Sequence, residues 1–245
     1  MRPSGAGVKH KLADYTTLIF DCDGVVLDSN KVKSEAFYQA TLPYGEAAAQ
    51  AMVDYHVANG GISRYKKFTH FLEKIVPAYA DLQQRPDLEA LLQAYASHVR
   101  GGLLSCDLAP GLEVLRQKTP NARWLIVSGG DQAELRDVFA ERSIAEWFDG
   151  GIFGSPDTKE ELLARELASD NIQHPALFLG DSKYDYQAAS FVSLDFVFLS
   201  GWSEVADWES WAQEKQLASV GSVQSLLVDA QTRRTSKAFH RHPDV

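Results

Sequence analysis

Two carboxylates, Asp21 and Asp23, stand two residues apart at the end of the apolar run Thr16–Phe20, with Gly24 behind them to turn the chain. A carboxylate can attack phosphorus directly and so split one difficult transfer into two easier ones. A second carboxyl close by can protonate the leaving oxygen and later take a proton from the attacking water. Clustered carboxylates also repel, which raises one pKa unless a metal neutralises them. Three further polar segments follow apolar runs in the same way. Ser128-Gly129-Gly130 follows Trp124–Val127, Ser155 and Lys159 follow Gly151–Phe153, and Gly180-Asp181 through Asp185 follows Ala176–Leu179. A hydroxyl and free backbone N–H groups ahead of a helix suit phosphate oxygens, and carboxylate oxygens suit Mg2+. A nucleophile, phosphate donors, a fixed ammonium and hard-cation ligands are together the parts of a phosphoryl-transfer site.

Each part alone has a plainer reading. Asp and Gly are common turn residues, and Ser-Gly-Gly makes an ordinary turn. Asp157 with Glu160 is an N-cap pattern that starts a helix at Asp157 and puts Lys159 in its first turn. A cation there opposes the helix dipole at a cost of about 0.3–1 kcal/mol. Either Glu160 and Glu161 offset it on a solvated surface, or the charge faces an anion and the aspartates. The argument rests on the combination, in order, each member at the end of an apolar strand.

The elements that would position these residues fall into two classes. From 31 to 104 every segment has helical period: Val32, Ala36, Phe37 and Ala40; then Ala47, Ala48, Ala51, Met52 and Tyr55; then Tyr65, Phe68, Leu72 and Ile75; then Leu88, Leu91, Leu92, Tyr95 and Val99. Asn59-Gly60-Gly61 and Gly101-Gly102 read as helix stops. After Pro110-Gly111 strands alternate with helices, the last strand being Phe196–Leu199, which predicts a parallel α/β sheet covered on both faces. Ligands of such sheets bind at the carboxyl ends of the strands. The expected organisation is an α/β core of residues 15–30 and 105–230, an all-helical insert over 31–104, and flexible tails at 1–14 and 231–245.

Composition narrows the function classes. The chain has 245 residues, 45% of them hydrophobic, with 24 basic and 33 acidic side chains for a net charge of −9. The acidic surplus argues against nucleic-acid binding, no apolar run approaches the ~18 residues of a membrane span, and Met1–Asp14 lacks the ~7–15-residue apolar stretch expected of a signal peptide. Two cysteines, Cys22 and Cys106, make no disulfide framework and point to the cytoplasm.

Asp21-Cys22-Asp23-Gly24-Val25-Val26-Leu27-Asp28-Ser29 resembles the first motif of the haloacid dehalogenase superfamily, Ser128 the second, Lys159 the third, and Gly180-Asp181 through Asp185 the fourth. The order agrees over about residues 16–200. A helical insert directly after the first motif is similar to the phosphoglycolate-phosphatase and β-phosphoglucomutase branch. The resemblance implies a Rossmann-like core with a mobile helical cap and a Mg2+ cofactor. It implies Asp21 as nucleophile and Asp23 as acid/base with its carbonyl on the metal. Ser128, Gly129 and Lys159 would hold the phosphoryl group, with Asp181 a direct metal ligand and Asp185 a more distant one. Dehalogenases of the superfamily lack the second Asp, so Asp23 favours phosphate esters, whose alkoxide leaving group needs a proton.

The cap segment Asn59–Lys67 is the candidate for specificity. Arg64 or Lys67 could reach a second anionic group of the substrate, the alternative being a solvated basic face. His56, His70, Trp202, Trp208, Trp211 and Cys22 read as packing or surface residues. The expectation is a Mg2+-dependent phosphatase of a small phosphorylated metabolite, a sugar or polyol phosphate. Its rivals are a phosphomutase on the same scaffold, a phosphoacceptor regulator and a non-catalytic binding protein.

Overall fold

Four apolar runs become the centre of a six-stranded parallel sheet in the computed structural model, which describes residues 10–79 and 86–227. The expected tail at 231–245 and most of that at 1–14 lie outside those residues, and Leu12–Asp14 form a single 3-10 turn. The strands are β1 (Thr17–Phe20), β2 (Arg123–Asp131), β3 (Gly151–Ser155), β4 (Ala176–Gly180), β5 (Asp195–Leu199) and β6 (Ala218–Val220). They lie in the order β3-β2-β1-β4-β5-β6. β1 is therefore central, paired with β2 on one side and β4 on the other. Period-two alternation divides its side chains between two cores. Leu18 and Phe20 join Trp124 and Phe148 on one face, while Ile19 joins Leu125, Phe178 and Phe196 on the other. Cys22 is wholly buried in the first of these cores, as packing predicts.

Between β1 and β2 every described element is helical: α1 (Asn30–Thr41), α2 (Glu46–Ala58), α3 (Arg64–His70), a π-turn at Phe71–Ile75, α4 (Val76–Tyr79), α5 (Leu88–Ser105) and α6 (Leu112–Lys118). The remaining helices are α7 (Gln132–Glu141), α8 (Lys159–Ala168), α9 (Lys183–Phe191) and α10 (Trp208–Lys215). Among the described residues no helix is long and apolar enough to cross a membrane.

Several local expectations are corrected. Gly101-Gly102 does not stop a helix: α5 runs through the pair to Ser105. A side chain at Gly102 would collide with Val32 of α1, so the glycine serves close helix packing. In α2 the buried face is Ala48, Ala49, Met52 and His56, with Ala47 exposed, because a run of alanines offers little contrast to set its phase. β2 does not end at Val127; it continues past a register shift to Asp131, which caps α7 by accepting from the Glu134 N–H. The cap of α8 is Thr158 with Glu161, one residue later than Asp157 with Glu160. β6 is only three residues long with none of them buried, too short a run to give a strand signal.

Candidate active site

The carboxyl ends of β1 and β4 place the aspartates side by side. Asp21 extends the pairing of β1, its N–H donating to Leu179 O at 2.9 Å. The chain then doubles back at Gly24, whose φ of +71° is left-handed and whose missing side chain leaves space that the Asp181 carboxylate fills. On the other strand, Ser182 caps α9 and shares a reciprocal hydrogen-bond box with Asp185. Single oxygens of Asp21, Asp181 and Asp185 lie within 4.8 Å of one another, all three residues buried.

Lys159 enters this cluster from the first turn of α8. It is 1% exposed, and its Nζ lies 2.9 Å from Asp21 and 2.5 Å from Asp185. The dipole cost that its position carries is thus met by two carboxylates. Burial opposes the charge on this amine, but Asp185 and Asp21 outweigh that and raise its pKa above the usual lysine range. Asp185 also accepts from the Ser182 N–H at 3.0 Å and hydroxyl at 2.7 Å. Asp181 accepts from the Asn30 side chain at 2.8 Å.

Three carboxylates against one ammonium leave two negative charges in a buried site, and the titration behaviour shows the imbalance. Burial, reinforced by Asp185 and Asp23 and opposed by Lys159, pushes the Asp21 carboxyl up to about 7. Burial, with Asp185 and Asp21, pushes Asp181 well above the ordinary carboxylate range. A set of hard oxygen donors with two uncompensated charges fits a divalent cation such as Mg2+.

Asp23 stands apart from this group. Its carboxylate ion-pairs with Lys33 and accepts from the Ser29 hydroxyl at 2.6 Å. Burial would raise its pKa, but Lys33 and these hydrogen bonds hold it below the usual range. Lys33, Ser29 and Asn30 were not singled out in the sequence. The available signal was Lys33 itself: it lies in phase with Ala36, Phe37 and Ala40 on the buried stripe of α1, where a charge demands a partner.

One cavity of about 60 Å3 joins the aspartates to the helical insert. Asp21, Asp23 and Asp181 line it with Gly129 and Gly130 on the sheet side; Lys33, His56, Arg64, Lys67 and Tyr95 line it on the other. Ser128 is fully buried and accepts from the Gly130 N–H at 3.1 Å, and Lys159 borders a smaller adjoining pocket with Gly129. Gly129 lies so near the Gly61 carbonyl that any side chain there would clash. The insert is therefore seated directly on the end of β2.

The two cap cations have different surroundings. Arg64 Nη1 donates to both Glu134 oxygens at 3.1 Å, Nη2 lies 3.7 Å from Asp131, and the guanidinium sits 5.2 Å from the Tyr95 ring centre. Tyr65 adds a 2.7 Å hydrogen bond to Asp131. These contacts tie α3 to the start of α7. With both partners of the Arg64–Glu134 pair mostly buried, Arg64→Ala should cost about 2–4 kcal/mol by leaving Glu134 unpaired. Denaturant titration of Arg64→Ala, Glu134→Ala and the double variant should give a coupling above about 1 kcal/mol; additive losses would remove the tie. Lys67, by contrast, meets His56 at 2.6 Å and no carboxylate among the described residues. His70 stacks on Tyr55, and Trp211 packs edge-on against Phe198.

A family model for haloacid dehalogenase-like hydrolases matches residues 15–191. No curated protein matches the sequence. Among solved structures, the chain is similar to β-phosphoglucomutase from Clostridium difficile, with 17% identity, TM-score 0.65 and coverage of 93% of this chain and 100% of that one. It is also similar to a Lactobacillus plantarum protein assigned as a phosphoglycolate phosphatase (19% identity, TM-score 0.65, coverage 87% and 98%). A haloacid dehalogenase-like hydrolase from Bacteroides fragilis gives 21% identity, TM-score 0.64 and coverage of 86% and 99%. At these identities the likeness to solved structures is one of fold.

Proposed function

We propose that this chain, which belongs to the haloacid dehalogenase-like hydrolase family, is a cytoplasmic Mg2+-dependent phosphatase that hydrolyses a small phosphorylated metabolite through an aspartyl phosphate. The observation that carries this reading is the buried group of Asp21, Asp181 and Asp185 with Lys159 in its midst and Asp23 alongside. Asp21, Asp181 and Asp185, with the Asp23 carbonyl, would hold the ion. Bound there, it would supply the positive charge that lets an anionic carboxylate meet an anionic phosphoryl group.

The chain's own groups account for the rest. A carboxylate oxygen of Asp21 forms a bond to phosphorus as the bond from phosphorus to the ester oxygen breaks, and Asp23 gives that oxygen a proton. Water then attacks the phosphorus, Asp23 takes the water's proton, and the bond to Asp21 breaks. The contact with Lys33 favours ionised Asp23, the form the second half needs. The first half needs protonated Asp23, and Asp23 regains that proton from the attacking water at the end of each turnover. Lys159 and the Ser128-Gly129 segment at the end of β2 orient the phosphoryl oxygens. The size of the cavity, about 60 Å3, supports a small substrate.

The test is a panel of phosphorylated metabolites assayed with Mg2+ for released phosphate. Many turnovers per chain are expected. Isomer interconversion without release would select the phosphomutase instead, and one stoichiometric labelling event a phosphoacceptor. Inertness towards every ester would remove the reading.

A further inference from the structure

His56 on α2 and Lys67 on α3 take no part in the chemistry just described, yet both line the same cavity as Asp21 and Asp23. Their side chains meet at 2.6 Å, Lys67 Nζ to His56 Nδ1. A charged amine has hydrogens and no lone pair, so it donates to Nδ1 and leaves the neutral ring's hydrogen on Nε2. That Nε2 is buried without a partner, on a residue only 6% exposed. An unpaired buried donor of this kind is destabilising.

Lys67 shows the complementary deficit. It is 3% exposed, and its Nζ faces the Phe37 ring at 5.5 Å. The other cavity cations are matched by carboxylates: Lys33 by Asp23, Arg64 by Glu134 and Asp131. Glu204 also lines the cavity but makes no ion pair with Lys67. Burial, with the nearby charge of Lys33, brings the Lys67 amine down to about 7. With Lys67 charged, His56 and Lys67 thus present two adjacent donors to the cavity, with no carboxylate ion-paired to either among the described residues.

We infer that His56 Nε2 and Lys67 Nζ form a second oxyanion subsite, so that the substrate is a phosphate monoester bearing another anionic oxygen group, a carboxylate or a second phosphate, away from the reacting phosphoryl. The inference rests on the phosphatase reading for its reacting end. Of the two cap cations expected to reach a distal anion, it favours Lys67, which meets no carboxylate among the described residues, over Arg64, which pairs with two. The oxyanion would accept from Nε2–H and restore full charge to the amine.

Matched pairs of esters test this with Mg2+ present: phosphoglycolate against ethylene glycol monophosphate, and fructose 1,6-bisphosphate against fructose 6-phosphate. At least one anionic member should exceed its neutral twin about tenfold or more in kcat/KM, and the pair that shows it identifies carboxylate or phosphate as the distal group. His56→Phe and Lys67→Met should each reduce that ratio about tenfold, while His56→Gln, which keeps a donor, should retain part of it. Calorimetric titration of the same four esters into the Asp21→Asn protein reads the preference without turnover, so it decides the matter even if no ester is hydrolysed. Turnover with both ratios within threefold of unity would overturn the subsite and leave the phosphatase reading standing. Ratios unmoved in both His56→Phe and Lys67→Met would overturn it equally.

Discussion

Asp21→Asn should abolish turnover while leaving the fold intact and, in metal-free buffer, more stable than the unmodified protein. The carboxamide matches the carboxylate in shape but is a poor nucleophile, so phosphate release should fall on the order of 10^4-fold or more. The stability arm follows from the charge count. Asp21 is 3% exposed and shares one ammonium with Asp185. Burial is the main reason that its carboxyl is pushed up to about 7, with Asp185 and Asp23 adding to it against Lys159. A carboxyl whose folded pKa exceeds its unfolded value favours folding most at low pH, and that contribution is lost as pH rises from about 4 through about 7. At pH 8 an ionised Asp21 is therefore a burden that Asn relieves, and a gain on the order of 1–3 kcal/mol in denaturant titrations is expected, shrinking toward pH 5. Comparing the two proteins at each pH isolates Asp21 from His56 and Lys67. Burial depresses the pKa values of those two groups, so they act in the opposite sense. Residual activity above about one hundredth would remove Asp21 as the nucleophile.

What could be read in advance depended on how local the signal was. Apolar β-branched runs ending in Asp or Ser announce both a buried strand and the polar edge beyond it, so the central sheet and the aspartates at its carboxyl end were legible together. Lys159 was legible as a misplaced cation, with the aspartates as one of two readings of what it faces; which carboxylates it meets was not, because Asp185 lies twenty-six residues away and only the packing of α8 beside α9 brings them together. Lys33 was hidden by its own helix, since a lysine at one position of an amphipathic stripe passes for a boundary residue until Asp23 is seen against it. His56 was hidden by alanines. The stripe read through Ala47, Ala48, Ala51, Met52 and Tyr55 takes in Ala48 and Met52 of the buried face but leaves out Ala49 and His56, which also lie on it. The two cavity side chains that went unread, Lys33 and His56, both lie in the insert, where small residues let helices pack closely and tertiary contacts decide the phase.

Removing divalent metal should stop phosphate release, and the stabilisation that Mg2+ gives on its return should grow with pH. Without the ion, Asp181 and Asp185 repel an incoming phosphate monoester, and Lys159 offsets only part of that field. Activity should therefore fall to background with chelator and recover with Mg2+. The pH arm depends on competition for the same oxygens. Burial first, then Asp185, raises both Asp21 and Asp181, so the metal-free folded protein keeps protons on this pair well above the ordinary carboxylate range. The ion must displace those protons, and binding releases them to solvent. At pH 5 Mg2+ should barely change the melting temperature; near pH 8 a hundredfold excess over Kd would add about 2.7 kcal/mol. For a domain of this size that is a rise of about 5–10 °C. Lys33 and Lys159, both raised above the usual amine range by their carboxylate partners despite burial, stay charged throughout and do not distort the trend. Asp181→Asn should lose most of the Mg2+ response while leaving the Lys159–Asp185 contact in place. A melting temperature indifferent to Mg2+ at pH 8, or a response equal at pH 5 and 8, would mean that these three aspartates are not a cation site.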